Sequence, residues 1–99
     1  MSYSIRWSPR AVDDISIQLD YIEQEWNRTV VNKFLNRIED VLETIADNLK
    51  LFPQIQKKKA IRRCVINSHL VLYYRLSGTQ IELITFWNTS KNPENLPID

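Results

Sequence analysis

Residues 60–87 read AIRRCVINSHLVLYYRLSGTQIELITFW. Three segments within them, 60–66, 69–76 and 80–87, are short and rich in β-branched and aromatic side chains. Asn67-Ser68 and Ser77-Gly78 separate them, and both pairs are residue types that favour turns. Strands joined this tightly pair antiparallel, since parallel neighbours need a long crossover. The stretch predicts a three-stranded antiparallel meander.

Upstream the period changes from two to about 3.6. Ser8 offers an oxygen to orphan helix N–H groups, and Pro9 suits a first helical position because its missing N–H costs nothing there. Val12, Ile15, Leu19, Ile22 and Trp26 then recur at steps of three or four. They predict an amphipathic helix over roughly 9–26, with Asp13, Asp14, Asp20 and Glu23 turned outward. Asn27 breaks this helix and caps a second. That one carries Val31, Phe34, Leu35, Ile38, Val41, Leu42, Ile45 and Leu49, and ends near 48–50, ahead of Phe52-Pro53. Two long helices with almost no loop between them pack as an antiparallel hairpin. Before them Tyr3-Ser4-Ile5-Arg6-Trp7 alternates apolar and polar residues, the period of a short strand.

The expected fold is therefore α+β in two layers: a short N-terminal strand, a long helical hairpin, then the meander (β-α-α-β-β-β). One sheet face would bury against the hairpin. Ninety-nine residues suffice for one core, so 1–99 reads as a single domain. The tail KNPENLPID (91–99), with two prolines, is expected to be a partly ordered extension.

Composition narrows the function classes. One cysteine excludes an intramolecular disulfide, and no apolar run approaches the roughly 18–20 residues that span a bilayer. The N-terminal MSYSIRW lacks the layout of a signal peptide, so the expected location is the cytoplasm. A net charge of +1 hides an asymmetry. Residues 1–52 carry six basic against nine acidic residues, whereas 53–99 carry seven against three. Five of the chain's thirteen Lys and Arg fall within 57–63.

Few residues offer catalysis. His69 and Cys64 are the only ones of their kinds and fall short of a zinc set, so no metal or other cofactor is expected. Cys64, in an apolar strand, reads as a small buried residue, and His69, beside a turn, as a surface residue. Asp13/Asp14 and Glu39/Asp40 diverge around their helices and cannot work as acid and base. A single glycine leaves no phosphate loop. What remains is Lys57, Lys58 and Lys59 in a loop, Arg62 and Arg63 on the following strand, and Arg75 and Lys91 beyond it. Arg62 and Arg63 are adjacent, so they point to opposite sheet faces. Such a stripe suits phosphates or an acidic protein segment, while the plainer reading is a solubilised loop and a protected sheet edge. Tyr73, Tyr74, Phe86 and Trp87 divide between the two faces; outward rings could stack on bases, though core packing is their commoner fate.

The whole chain resembles the RelE/ParE superfamily of bacterial type II toxins. The resemblance lies in SPRAVDDISIQLDYI after a first strand, LFP after the second helix, IRRCVI and LVLYYRL as successive strands, and ITFWNTSKNPENL at the end. The hairpin running directly into the sheet looks closer to the ParE branch. The resemblance implies a growth-inhibiting toxin held inactive by a co-expressed antitoxin, whose segment would cover the hairpin and a sheet edge. ParE-like members bind DNA gyrase. That would need a surface here, with Lys57, Lys58, Lys59, Arg62, Arg63, Arg75 and Lys91 as its basic residues. RelE-like members instead cut mRNA on the ribosome, the alternative function. For that role Arg62 or Arg63 matches the basic residue of the second strand. Val71, however, stands where such members carry an arginine, and no Tyr or His follows Tyr74. Binding is therefore the expected mode of action, and no catalytic residue is assigned.

Overall fold

The computed structural model describes residues 3–98, in the expected order: β1 (Ser4–Trp7), α1 (Pro9–Glu25), α2 (Arg28–Asp47), β2 (Ile61–Asn67), β3 (Leu70–Ser77), β4 (Gln80–Asn88) and a 3-10 turn at Pro93–Asn95. Both helix starts follow the sequence signals. Ser8 Oγ accepts from the N–H of Ala11 at 3.0 Å, and Asn27 Oδ1 from that of Val30 at 3.1 Å. Each satisfies a donor that the helix leaves orphaned. Gly78 has φ 63°, the left-handed conformation that a tight hairpin between β3 and β4 requires and glycine adopts without strain.

The strands form one sheet in the order β1-β4-β3-β2, with β1 parallel to β4 and the other pairs antiparallel. The hairpin and two strands intervene between β1 and β4, which supplies the long connection that parallel neighbours need. A bulge interrupts the β3–β4 register between Tyr73 and Tyr74, where Ile84 is the extra residue. Its backbone groups are met from the start of α1. Ser8 Oγ donates to the Ile84 carbonyl at 2.8 Å, and the Phe86 N–H donates to Asp14 Oδ2 at 3.0 Å. The hydroxyl of fully buried Thr85 donates to the same carboxylate oxygen. Asp14 is therefore turned toward the sheet, not outward as its helical position suggested. Losing it would strand two buried donors, each worth about 1–3 kcal/mol.

The hairpin buries one face of the sheet, called here the hairpin face. Ile15, Phe34, Ile38, Val41 and Ile45 pack there against Cys64, Leu72, Tyr74 and Leu83. Three expected core residues are exposed: Val12, Leu35 and Trp26. Ala11 and Ile15 set the inward stripe of α1, which rotates Val12 to solvent. Trp26 caps the helix with extended backbone (φ −135°, ψ −178°), so helical spacing no longer aims its ring.

The opposite face is covered too. Ile61, Val71, Tyr73 and Trp87 form a second apolar cluster with Ile98, flanked by Ile55, Ile84 and Leu96. Of the tail expected to be a partly ordered extension, residues 91–98 are described and Ile98 packs into this cluster, only 4% exposed, while Asp99 lies outside the described residues. The cause is that β2, β3 and β4 carry large apolar side chains on both faces, and the hairpin covers only one. Without the tail, this second face would be an exposed apolar patch. It is called the tail face below.

Candidate functional site

The basic residues singled out from the sequence divide between these faces. Arg62 lies opposite Tyr74, on the hairpin face. Its Nη1 donates to the carbonyls of Phe52 at 2.7 Å and Lys50 at 3.5 Å. It therefore closes the turn that leads out of α2. The Tyr74 hydroxyl helps by donating to the Leu49 carbonyl at 3.2 Å. Burial pushes the Tyr74 phenol up to about 12, with Arg62 pulling it down and Cys64 pushing it further up. Lys59 joins Arg62 around a hollow of about 250 Å³ at this end of the sheet, which Gln54 and Tyr74 also line.

Arg63 lies opposite Tyr73 on the tail face and is exposed. Arg75, opposite Ile61, shares that face, where its Nε meets Glu82 Oε1 at 2.8 Å. Lys91 sits over the Trp87 ring, 5.6 Å from its centroid, a cation–π distance. Lys58 Nζ reaches the Ile98 carbonyl at 3.5 Å. Lys57 is an exposed loop residue. The structure thus puts Arg63 and Arg75 on the tail face, with Lys58 and Lys91 reaching it from flanking loops, and gives Arg62 a separate, structural task. It also adds a residue the sequence reading omitted. Arg6 pairs with Glu82 across β1 and β4, so Arg6, Glu82 and Arg75 form a row on the tail face. Alternation in Tyr3–Trp7 pointed to an outward Arg6, but its neighbours depend on the parallel β1–β4 pairing.

A second feature sits at the bend of the hairpin. Ile17, Tyr21, Ile22, Trp26 and Val30 line an open groove of about 490 Å³ whose other wall is Asn67, His69, Asn88 and Ser90. Ile17, Tyr21 and Trp26 are each about 60% exposed, unusual for such large apolar side chains in one place. Its polar wall is built on side-chain turns. Asn67 Oδ1 accepts from the His69 N–H at 2.8 Å, and Asn88 Oδ1 from the Ser90 N–H at 2.9 Å.

Much of the outer edge of β2 is occupied. The Arg63 N–H donates to the Pro53 carbonyl at 3.0 Å, and the Ile55 N–H to the Ile61 carbonyl at 2.9 Å. Arg37 of α2 covers more of it, its Nε and Nη2 donating to the carbonyls of Ile66 (3.0 Å) and Val65 (3.3 Å). Such cover discourages pairing with another chain at that edge.

Among the described residues, Cys64 and His69 do not form an activated nucleophile. Cys64 is 1% exposed, and its thiol is pushed up by burial, with Arg37 opposing. A raised thiol pKa holds the sulfur protonated, the inert form. His69 is on the groove wall, in the turn between β2 and β3, and no three His, Cys, Asp or Glu side chains of the described residues cluster to hold a metal. No helix among the described residues is long and apolar enough to cross a membrane.

Comparison with known proteins places this architecture. The chain resembles in structure the chromosomal ParDE toxin–antitoxin system of P. aeruginosa, with a TM-score of 0.73 at 12% identity over 88% of this chain and 96% of that one. It also resembles the toxin–antitoxin complex DinJ–YafQ of E. coli, at 0.63, 12%, 91% and 96% respectively. A third likeness is the YoeB dimer of Staphylococcus aureus, at 0.61, 20%, 87% and 95%. At such identities these likenesses speak for the fold. None of the curated proteins matches the chain in sequence. The family model described as the ParE toxin of type II toxin-antitoxin system, parDE, matches residues 5–93, from the first strand through the root of the tail. The chain belongs to the ParE toxin family of type II toxin–antitoxin systems.

Proposed function

We propose that the protein inhibits growth by binding a cytoplasmic target through the tail face of its sheet, with DNA gyrase as the target that its family suggests. The supporting observation is the character of that face: Arg6, Lys58, Arg63, Arg75 and Lys91 share it with an apolar, aromatic cluster, with Glu82 as the one acid of its strands. This is positive charge arranged for recognition. A nuclease would also need a group to move protons, help typically worth about 10²–10⁴-fold in rate. Tyr73, on this face, is buried, and His69 lies at the groove.

The groove at the hairpin bend suits a different partner. An amphipathic segment of a co-expressed antitoxin would bury apolar side chains against Ile17, Tyr21 and Trp26, as helices do in apolar grooves. The E. coli neighbour is itself a toxin–antitoxin complex, which supports a partner of this kind.

The test is induction of the chain alone in cells, beside a supercoiling assay with purified gyrase. Growth arrest with linearised DNA and inhibited supercoiling is the expected result. Arg63→Glu should lower toxicity at least tenfold while leaving stability unchanged. Arg62 is the wrong residue to alter for this purpose, because its loss would loosen the turn at 49–53. Codon-dependent cuts in translated mRNA, with supercoiling untouched, would overturn the reading in favour of a ribosome-dependent ribonuclease. Tyr21→Asp should block neutralisation by the antitoxin while toxicity persists.

A further inference from the structure

The tail face, read above as the surface that meets the target, already carries a peptide: the chain's own residues 93–98. How that segment is held is informative. Pro93 and Pro97 have no N–H to offer a neighbouring strand. The N–H groups of Asn95, Leu96 and Ile98 donate to Asn92, Pro93 and Leu96, all within the segment or at its root. Among the described residues its hydrogen bond to the rest of the molecule is the long one from Lys58 Nζ to the Ile98 carbonyl, 3.5 Å. Attachment therefore comes from side chains. Leu96 and Ile98, spaced as in an extended strand, enter the cluster of Ile61, Val71, Tyr73 and Trp87.

The chemistry of the segment complements its seat. Its sequence, PENLPID over 93–99, has Glu94 and Asp99 as its charged residues, both acidic. The face beneath carries Lys58, Arg63, Arg75 and Lys91, and Lys91 already sits over the Trp87 ring. A strand in the sheet could leave only by breaking a ladder of backbone bonds. This segment can lift without breaking one.

We propose that the tail face is a docking site for an extended, acidic segment of the target protein bearing two apolar side chains two residues apart, and that residues 93–98 occupy it as an intramolecular stand-in. The proposal rests on the reading of this face as target-facing and adds to it the kind of segment recognised and a built-in competitor. A partner then binds only the fraction of molecules whose tail has lifted, which weakens its apparent affinity by that fraction.

The test uses the full-length chain and a labelled synthetic peptide, NPENLPID, corresponding to residues 92–99. The variant Leu96→Ser/Ile98→Ser should bind the peptide saturably, and the unmodified protein at least tenfold more weakly. Adding Arg63→Glu to that variant should weaken binding at least fivefold. A peptide with Ser in place of Leu and Ile should not bind. Equal binding by both proteins, or binding by neither, would overturn the proposal. So would a short single-stranded RNA that binds the released variant in place of the peptide, because the face would then read phosphates. If the variant does not fold, excess peptide is titrated onto the unmodified protein and followed by NMR. The signals of Leu96 and Ile98 should move toward free-chain positions as the tail is displaced, and signals that stay fixed at saturating peptide would overturn the proposal. Growth inhibition that persists without peptide binding removes this inference alone. Peptide binding by a chain that leaves growth unaffected removes the proposed function and keeps the surface.

Discussion

The two faces of the sheet are made of the same strands, yet they are held in different ways. On the hairpin face, long helices press side chains into Leu72, Tyr74 and Leu83, and polar groups have fixed partners: Asp14 for Thr85 and Phe86, Arg62 for Phe52, Tyr74 for Leu49. On the tail face a short segment inserts Leu96 and Ile98, and the cations around it lie near solvent. Neighbouring residues on one strand thus do unlike work. Arg62 and Arg63 have the same chemistry and consecutive positions, but one closes a turn and the other is exposed on the tail face. Alternation along a strand is what sends the two side chains to different surroundings.

The strongest way to break this contrast is to remove equivalent methyl groups from each side. Leu72→Ala leaves a cavity walled by the hairpin, and should cost about 2–5 kcal/mol. Ile98→Ala should cost only about 1–2 kcal/mol, because a tail that detaches limits the loss to the roughly 1.5–3 kcal/mol gained by burying the side chain. Urea unfolding of the two variants measures the difference. Equal costs would mean that the tail belongs to the core and cannot act as a removable cover.

A smaller effect sharpens the same contrast between adjacent residues. Arg62→Ala should lose about 1.5–3 kcal/mol, the usual worth of a hydrogen bond to a charged group. Arg63→Ala should stay within about 0.5 kcal/mol of the parent, as exposed positions without fixed partners do. The urea midpoint should move for Arg62→Ala, and growth inhibition should fall for Arg63→Ala. A shift of midpoint for Arg63→Ala would show that its guanidinium has a structural partner after all.

Much of this was legible before the structure. The helices, their caps at Ser8 and Asn27, and the three later strands follow from spacing and turn residues, because each depends on neighbours close in sequence. So did the divergence of Arg62 from Arg63. What the sequence hid depends on contacts between distant segments. Asp14 looked solvated because its partners, Thr85 and Phe86, lie some seventy residues away at a bulge that no local pattern announces. The tail looked loose because two prolines forbid a strand, yet Leu96 and Ile98 needed only an apolar seat. Arg6 and Arg37 went unassigned for a related cause. Each acquires a role from the sheet order, one as neighbour of Glu82 and the other as cover for the β2 edge.

The smallest test uses pH to ask whether the hairpin face stays closed around Tyr74. The buried phenol titrates at about 12 in the folded chain, against an ordinary value near 10. A raised acid pKa means that the folded state prefers the neutral form. Its contribution is complete below pH 10 and is lost as pH climbs toward 12, because the unfolded chain ionises first. Linkage sets the full loss at about 2–3 kcal/mol, of which roughly half is felt by pH 11. Tyr74→Phe removes the titration and also the hydrogen bond to Leu49, worth about 1 kcal/mol. The variant should therefore be the less stable protein at pH 8 and draw level near pH 11. A constant difference between the two across that range would mean that water already reaches the phenol, and that the hairpin face opens more readily than its packing implies.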